Sequence, residues 1–121
     1  MVSVVIPVYN GAKYIEKTIR TILNSTYQNL EIIAVVDGSP DNSLAVCQKL
    51  SQEDARVKTF YKDNGGIPDA RNYGIERATG EYICVCDQDD LVQPAMYEHM
   101  VERLDAEKAD LCFCSTGQMV N

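Results

Sequence analysis

The sequence predicts an α/β fold, a mostly parallel sheet flanked by helices on both faces. Three observations predict it. Val2–Val8 and residues 30–36 are nearly continuous apolar runs, as strands buried on both faces require. Between them Ile15, Ile19, Ile22 and Leu23 recur at helical spacing. Strand and helix patterns then keep alternating along the chain, which is how a parallel sheet is wound.

Taken in order, Val2–Val8 is the first strand, and Gly11 turns the chain into the amphipathic helix. The second strand covers residues 30–36. Asp37-Gly38-Ser39-Pro40-Asp41-Asn42-Ser43 follows, dense in turn formers and N-cap residues, and leads into a helix carrying Leu44, Val46, Cys47 and Leu50. A third strand spans 57–61 and is expected near an edge, because Lys58 and Lys62 flank it. Asn64-Gly65-Gly66 makes a flexible loop, and Pro68 starts a helix running through Ala78. Thr79-Gly80 ends that helix before a strand at Tyr82. Pro94 opens a further helix with Met96, Met100 and Leu104 on one face, and residues 111–115 close as a fifth strand. There is no repeat, linker or low-complexity segment, so residues 1–121 read as a single domain.

Composition narrows the function. The net charge is −7, with 45% hydrophobic and 24% charged residues. So acidic a chain repels a nucleic-acid backbone or an anionic membrane surface. A phosphorylated small molecule is repelled too unless a cation mediates. No apolar run is long enough to span a bilayer, and no basic-then-apolar leader opens the chain. The five cysteines are Cys47, Cys84, Cys86, Cys112 and Cys114. Their C-x-C pairs lie in apparent strands rather than at zinc-ribbon spacing, so they are read as reduced core thiols of a cytoplasmic protein.

The chemistry concentrates at strand ends. Tyr82-Ile83-Cys84-Val85-Cys86 runs straight into Asp87-Gln88-Asp89-Asp90, three carboxylates within four positions. In open parallel sheets ligands gather at the carboxyl ends of strands. Like charges there oppose one another's ionisation unless a cation offsets them. Hard oxygen ligands suit Mg²⁺ or Mn²⁺ together with substrate phosphates. The competing reading is a solvated acidic loop capping the next helix. Tyr9, where the first strand stops, either stacks on a nucleobase or packs on the first helix. Asp37, ending the second strand, either accepts a hydrogen bond from a base edge or shapes an Asx turn. Arg71 either reaches a phosphate or base carbonyl, or forms a surface ion pair with Glu76 or Asp69. His99 reads as a surface residue, and no serine or cysteine has a base partner that would make a nucleophilic triad.

Rival classes are set back by what the sequence lacks. Asn10-Gly11 is no dinucleotide-binding G-x-G-x-x-G, and no G-x-x-x-x-G-K occurs. A phospho-acceptor receiver domain has this length and an acidic pocket. By resemblance, however, it needs an acidic pair where this chain has Tyr9 and Asn10, and a lysine after the fifth strand.

Four motifs in order resemble the family 2 glycosyltransferases of the GT-A fold. Val2-Ser3-Val4-Val5-Ile6-Pro7-Val8-Tyr9-Asn10 is similar to the family's opening strand. Residues 31–43 resemble its second signature, and Asn64-Gly65-Gly66 through Ala70-Arg71-Asn72-Tyr73-Gly74 its third. Ala78-Thr79-Gly80-Glu81-Tyr82-Ile83 followed by Asp87-Gln88-Asp89-Asp90 resembles the D-x-D segment. The resemblance covers essentially the whole chain. It implies a Rossmann-like nucleotide-binding half, an inverting transfer of sugar from a nucleoside diphosphate, usually UDP, and a Mg²⁺ or Mn²⁺ cofactor. Pro7 and Tyr9 match positions lining the nucleobase, Asp37 the carboxylate that reads its edge, and Arg71 an arginine near the nucleoside. Asp87 matches the ribose-side carboxylate and Asp89 the metal ligand.

Two departures qualify the match. Val36 stands where the family often has a first aspartate. The acceptor-binding half, with the general base, is expected beyond Asn121, so this part alone is expected to bind a UDP-sugar but turn it over poorly. The acceptor would be a carbohydrate or lipid-linked hydroxyl, and the parent enzyme peripheral at the membrane. The alternative is a non-catalytic nucleotide-binding or assembly module, in which an exposed sheet edge favours a homodimer, or distantly a phospho-acceptor receiver domain.

Overall fold

The computed structural model describes residues 1–107 and 111–113. Its elements follow the expected order: β1 (Val2–Val8), α1 (Ile15–Leu23), β2 (Leu30–Asp37), α2 (Ser43–Glu53), β3 (Val57–Lys62), α3 (Ile67–Arg77), β4 (Tyr82–Val85), α4 (Met96–Glu107) and β5 (Leu111–Phe113). Differences from the expected bounds are small. β2 and β3 each run one residue further, α3 begins and ends one residue earlier, and α4 starts at Met96, with Pro94 in the turn leading into it. Cys114 and Ser115, expected in the fifth strand, lie outside the described residues.

Among the described residues the five strands are all parallel, in the order β3-β2-β1-β4-β5. β3 is thus an edge strand, as its flanking lysines predicted. Side-chain alternation divides the core into two layers. Val2, Val4, Ile6 and Val8 of β1 face Ile15, Ile19 and Ile22 of α1, Cys47 and Leu50 of α2, and Tyr97 of α4. Val5, Ile33, Val35 and Val85 face the other way, against Ala70 of α3. α3 lies close on the sheet because Gly74 has no side chain. A Cβ there would sit 2.4 Å from Val5 Cγ1 and 3.2 Å from Val35 Cγ2.

Cys47, Cys84 and Cys86 are buried in the larger layer, where the core-thiol reading put them. Burial pushes the Cys47 thiol up to about 12, which keeps it protonated and unreactive. At the amino end of the sheet Glu31 is a buried charge that the pattern did not flag. It accepts hydrogen bonds from Ser3 Oγ, Lys58 Nζ, Thr79 N–H and Thr79 Oγ1 at 2.5–2.9 Å. Burial alone would raise its pKa, but these donors outweigh burial and hold it at about 2.

Candidate functional site

β1 outruns its partner. It pairs with β4 only over Val2–Val5, and the last ladder bond, Cys86 N–H to Val5 O, leaves Ile6, Pro7 and Val8 without β4 alongside. Pro7 tolerates this central strand because its missing N–H lies on the side where β4 has already ended. The two strands also mark the switch point of the sheet. The chain winds outward from β1 through β2 to β3, then crosses back to β4, so a crevice opens at their carboxyl ends. A cleft of about 170 Å³ occupies it, lined by Pro7, Ile67, Asp87, Gln88 and Asp89.

Asp87, Asp89 and Asp90 bring one carboxylate oxygen each within 4.8 Å of the others. Asp87 and Asp89 are exposed and Asp90 is buried. Asp90 folds back on its own loop, accepting from Asp87 N–H at 3.2 Å. The helix-capping reading of this run does not hold. α4 begins at Met96, and a cap must sit immediately before the first turn it serves. Among the described residues this is the one His/Cys/Asp/Glu cluster of metal-binding dimensions. Its all-oxygen donor set, open on the cleft side, fits Mg²⁺ or Mn²⁺.

Gln88, between the two exposed aspartates, was not singled out from sequence. Its side-chain amide spans the crevice in both directions, Oε1 accepting from Tyr9 N–H and Nε2 donating to Tyr9 O, each at 2.9 Å. Its own carbonyl accepts from Thr18 Oγ1 of α1 at 2.7 Å. Tyr9 is 39% exposed, and its backbone is fixed by this bridge.

Asp37 is buried at the end of β2. Oδ1 accepts from Lys62 Nζ at 3.0 Å and Gly65 N–H at 2.9 Å, and Oδ2 from Gly66 N–H at 2.9 Å. Burial would raise its pKa, but the two amides and Lys62 lower it below the ordinary value. Its visible work is thus to hold the 64–66 loop at the start of α3. Gly38 lets the two loops touch: it has φ +58°, and a Cβ there would lie 2.6 Å from Asn64 N.

Asp41, read in the sequence only as part of a run of turn formers and N-cap residues, ties the next pair of loops. It accepts from Ser39 Oγ, Ser43 Oγ, Ser43 N–H and Ala12 N–H. Ser39 Oγ in turn accepts from Asn10 N–H, and Ser43 Oγ from Gly11 N–H. Here too burial acts to raise the pKa and is overcome by the donors, so Asp41 stays ionised well below the usual carboxylate range.

Arg71 lies one turn along α3 from Ile67, which lines the cleft. The ion pair with Glu76 or Asp69, one of its two readings, is not made. Lys62 takes Asp69 instead, at 2.5 Å. The buried Nε of Arg71 has no hydrogen-bond partner. Such an orphaned donor is costly unless a ligand meets it. His99, Glu98 and Glu102 are exposed on α4.

Tyr9, Asp37, Asp87 and Asp89 therefore stand at the carboxyl ends of three adjacent strands, with Pro7 in the cleft wall and Arg71 on the helix beside it. Comparison with known proteins agrees on the class. The sequence model of "Glycosyl transferase family 2" matches residues 3–118. Glycosyltransferase GlyG of Streptococcus pneumoniae serotype 4 is 43% identical over 112 residues, 92% of this chain and 37% of that protein. The uncharacterized glycosyltransferase EpsJ of Bacillus subtilis is 38% identical over 114 residues, 94% of this chain and 33% of its own. The chain thus spans about a third of the length of these relatives. Among solved structures, S. aureus TarS 1–349 in complex with UDP has the same fold, with TM-score 0.74 at 24% identity, covering 88% of this chain and 32% of that one. Mannosyltransferase PcManGT from Pyrobaculum calidifontis, in complex with GDP-Man and Mn²⁺, gives 0.66 at 26% identity over 74% of this chain and 28% of its own.

Proposed function

The chain belongs to glycosyl transferase family 2, and from that membership we propose that it forms the donor-binding part of an inverting enzyme. Its sheet is that of the GT-A fold, and its crevice takes a nucleoside-diphosphate sugar, specifically a UDP-sugar, together with Mg²⁺ or Mn²⁺. The sugar passes to a hydroxyl of a carbohydrate or lipid-linked acceptor. The observation that carries this reading is the acidic cluster facing Tyr9 across the switch point, in a chain too acidic to take a diphosphate without a cation.

Within the proposal each residue has its own task. Tyr9 offers its exposed ring to the base, with Pro7 as the cleft wall. Asp37 uses two acceptor sites on the loop and a third on Lys62, which leaves about one of a carboxylate's four for a base N–H. Arg71, with its unpartnered Nε, serves the nucleoside side. Asp87 meets the ribose and Asp89 holds the cation, which when bound offsets the charge developing on the departing diphosphate. Inversion needs a base to activate the acceptor hydroxyl. The proposal gives that role to none of the described residues. Buried thiols support a reducing, cytoplasmic setting. No helix among the described residues is long and apolar enough to cross a membrane.

Calorimetric titration with UDP tests the reading. Binding is expected with Mn²⁺ and lost with EDTA or in Asp89→Ala. Equal binding under all three conditions would sink the metal role.

A further inference from the structure

We infer that Gln88 is the positioning residue of the acidic cluster: its amide bridge to Tyr9 sets where the Asp87 and Asp89 carboxylates stand. This rests on the donor-site reading above and goes beyond it by assigning a role to the residue between the carboxylates. Asp87 and Asp89 are exposed and extend past the end of β4, where the sheet no longer holds them. Gln88 supplies what the ladder does not. Both halves of its amide bond the Tyr9 backbone at 2.9 Å, reproducing a strand pairing where β4 has ended. Thr18 Oγ1 fixes its main chain from the α1 side at 2.7 Å. Gly11 leaves the space in which the amide lies, because a Cβ at Gly11 would come within 2.2 Å of Gln88 Oε1 and 2.7 Å of its Cδ. Neighbours flanking Gln88 on both sides are therefore aimed by one clamp, and groups that orient metal ligands commonly carry 10–100-fold of metal affinity. The same bridge ties the cluster to Tyr9, so the base end and the cation end of the crevice share a fixed spacing.

Gly11 gives the test a second, independent handle. Gln88→Ala removes the bridge, while Gly11→Ala displaces it. Mn²⁺ is titrated into the purified chain and its two single variants and their double variant, and the free-ion signal is followed by electron paramagnetic resonance. Thermal unfolding of each variant, by circular dichroism, reports the fold. Each single variant is expected to weaken Mn²⁺ about tenfold or more. The double variant should be no weaker than Gln88→Ala, because with the amide gone Gly11→Ala has nothing to displace. Gln88→Leu, which keeps the side-chain volume without the two bonds, replaces Gln88→Ala if the latter does not fold. Parent-like Mn²⁺ affinity in a folded Gln88 variant overturns the positioning role alone, as do additive losses in the double variant. A parent chain that takes up no Mn²⁺ overturns the metal reading and this role with it.

Discussion

Replacing Glu31 by glutamine isolates the worth of a buried charge at the end of the sheet opposite the cleft. The side chain is 3% exposed and fully engaged by Ser3, Lys58 and Thr79. Its pKa falls from an ordinary 4.5 to about 2, although burial alone pushes the other way. At about 1.4 kcal/mol per unit, ionised Glu31 stabilises the folded chain by about 3 kcal/mol at pH 7. The sign follows from the depressed folded-state value. That stability is complete above the unfolded value of 4.5 and is lost as pH falls toward about 2. Gln stands in for the protonated acid, so Glu31→Gln should cost about 3 kcal/mol at pH 7 and about 2 kcal/mol at pH 3.5. In urea, with a slope of about 2 kcal/mol/M, the pH 7 midpoint should drop by about 1.5 M. Equilibrium unfolding at the two pH values makes the comparison, with UDP affinity as a control expected to stay unchanged. A pH 7 cost below about 1 kcal/mol, the worth of an exposed pair, refutes the reasoning. So does a cost that is the same at both pH values.

Three further outcomes follow from the geometry. Gly74→Ala drives a methyl into Val5 and Val35. Overpacking of about 1–3 kcal/mol, less about 1 kcal/mol of helix propensity, should lower the melting temperature by several degrees in a thermal scan. Tyr9→Ala should weaken UDP binding in calorimetry by the worth of a stacked base, about 1–3 kcal/mol, with little change in melting because the ring is exposed. Arg71→Met removes a buried donor that has no partner, so the free chain should be as stable or more so. Its UDP affinity should fall about tenfold, the loss of one charge-assisted hydrogen bond.

The fold was legible because its signals are local. The burial of β1 and β2 on both faces appears as uninterrupted apolar runs, and α1 declares itself through Ile15, Ile19 and Ile22. The candidate site was legible where chemistry is crowded, as in Asp87 to Asp90, or where a strand visibly stops, as at Tyr9 and Asp37. Long-range contacts left no such mark. Gln88 reaches Tyr9 across 79 positions, and Asp41 reaches Ala12 across 29. Arg71 seemed to have Asp69 within reach on its own helix, yet Lys62 at the end of β3 takes that carboxylate. Glu31 looked like one polar residue in a motif, because its partners come from three other segments. Gly11 alone gave a hint, since a glycine in the turn between a strand and a helix invites the question of what lies against it.

The hydrogen bonds that Asp37 and Asp41 accept are all made within the chain itself. The 64–66 loop, the turn after β1 and the turn after β2 are therefore ordered when the protein folds, before any ligand arrives. Immobilising loops and side chains is a large part of what weakens association, and here folding has already met that cost. Such a crevice should bind with little reshaping of its backbone, and its association rate should be governed by diffusion and charge rather than by waiting for a rare conformer. A rigid seat of this kind also discriminates: a ligand of the wrong length cannot persuade the loops to follow it.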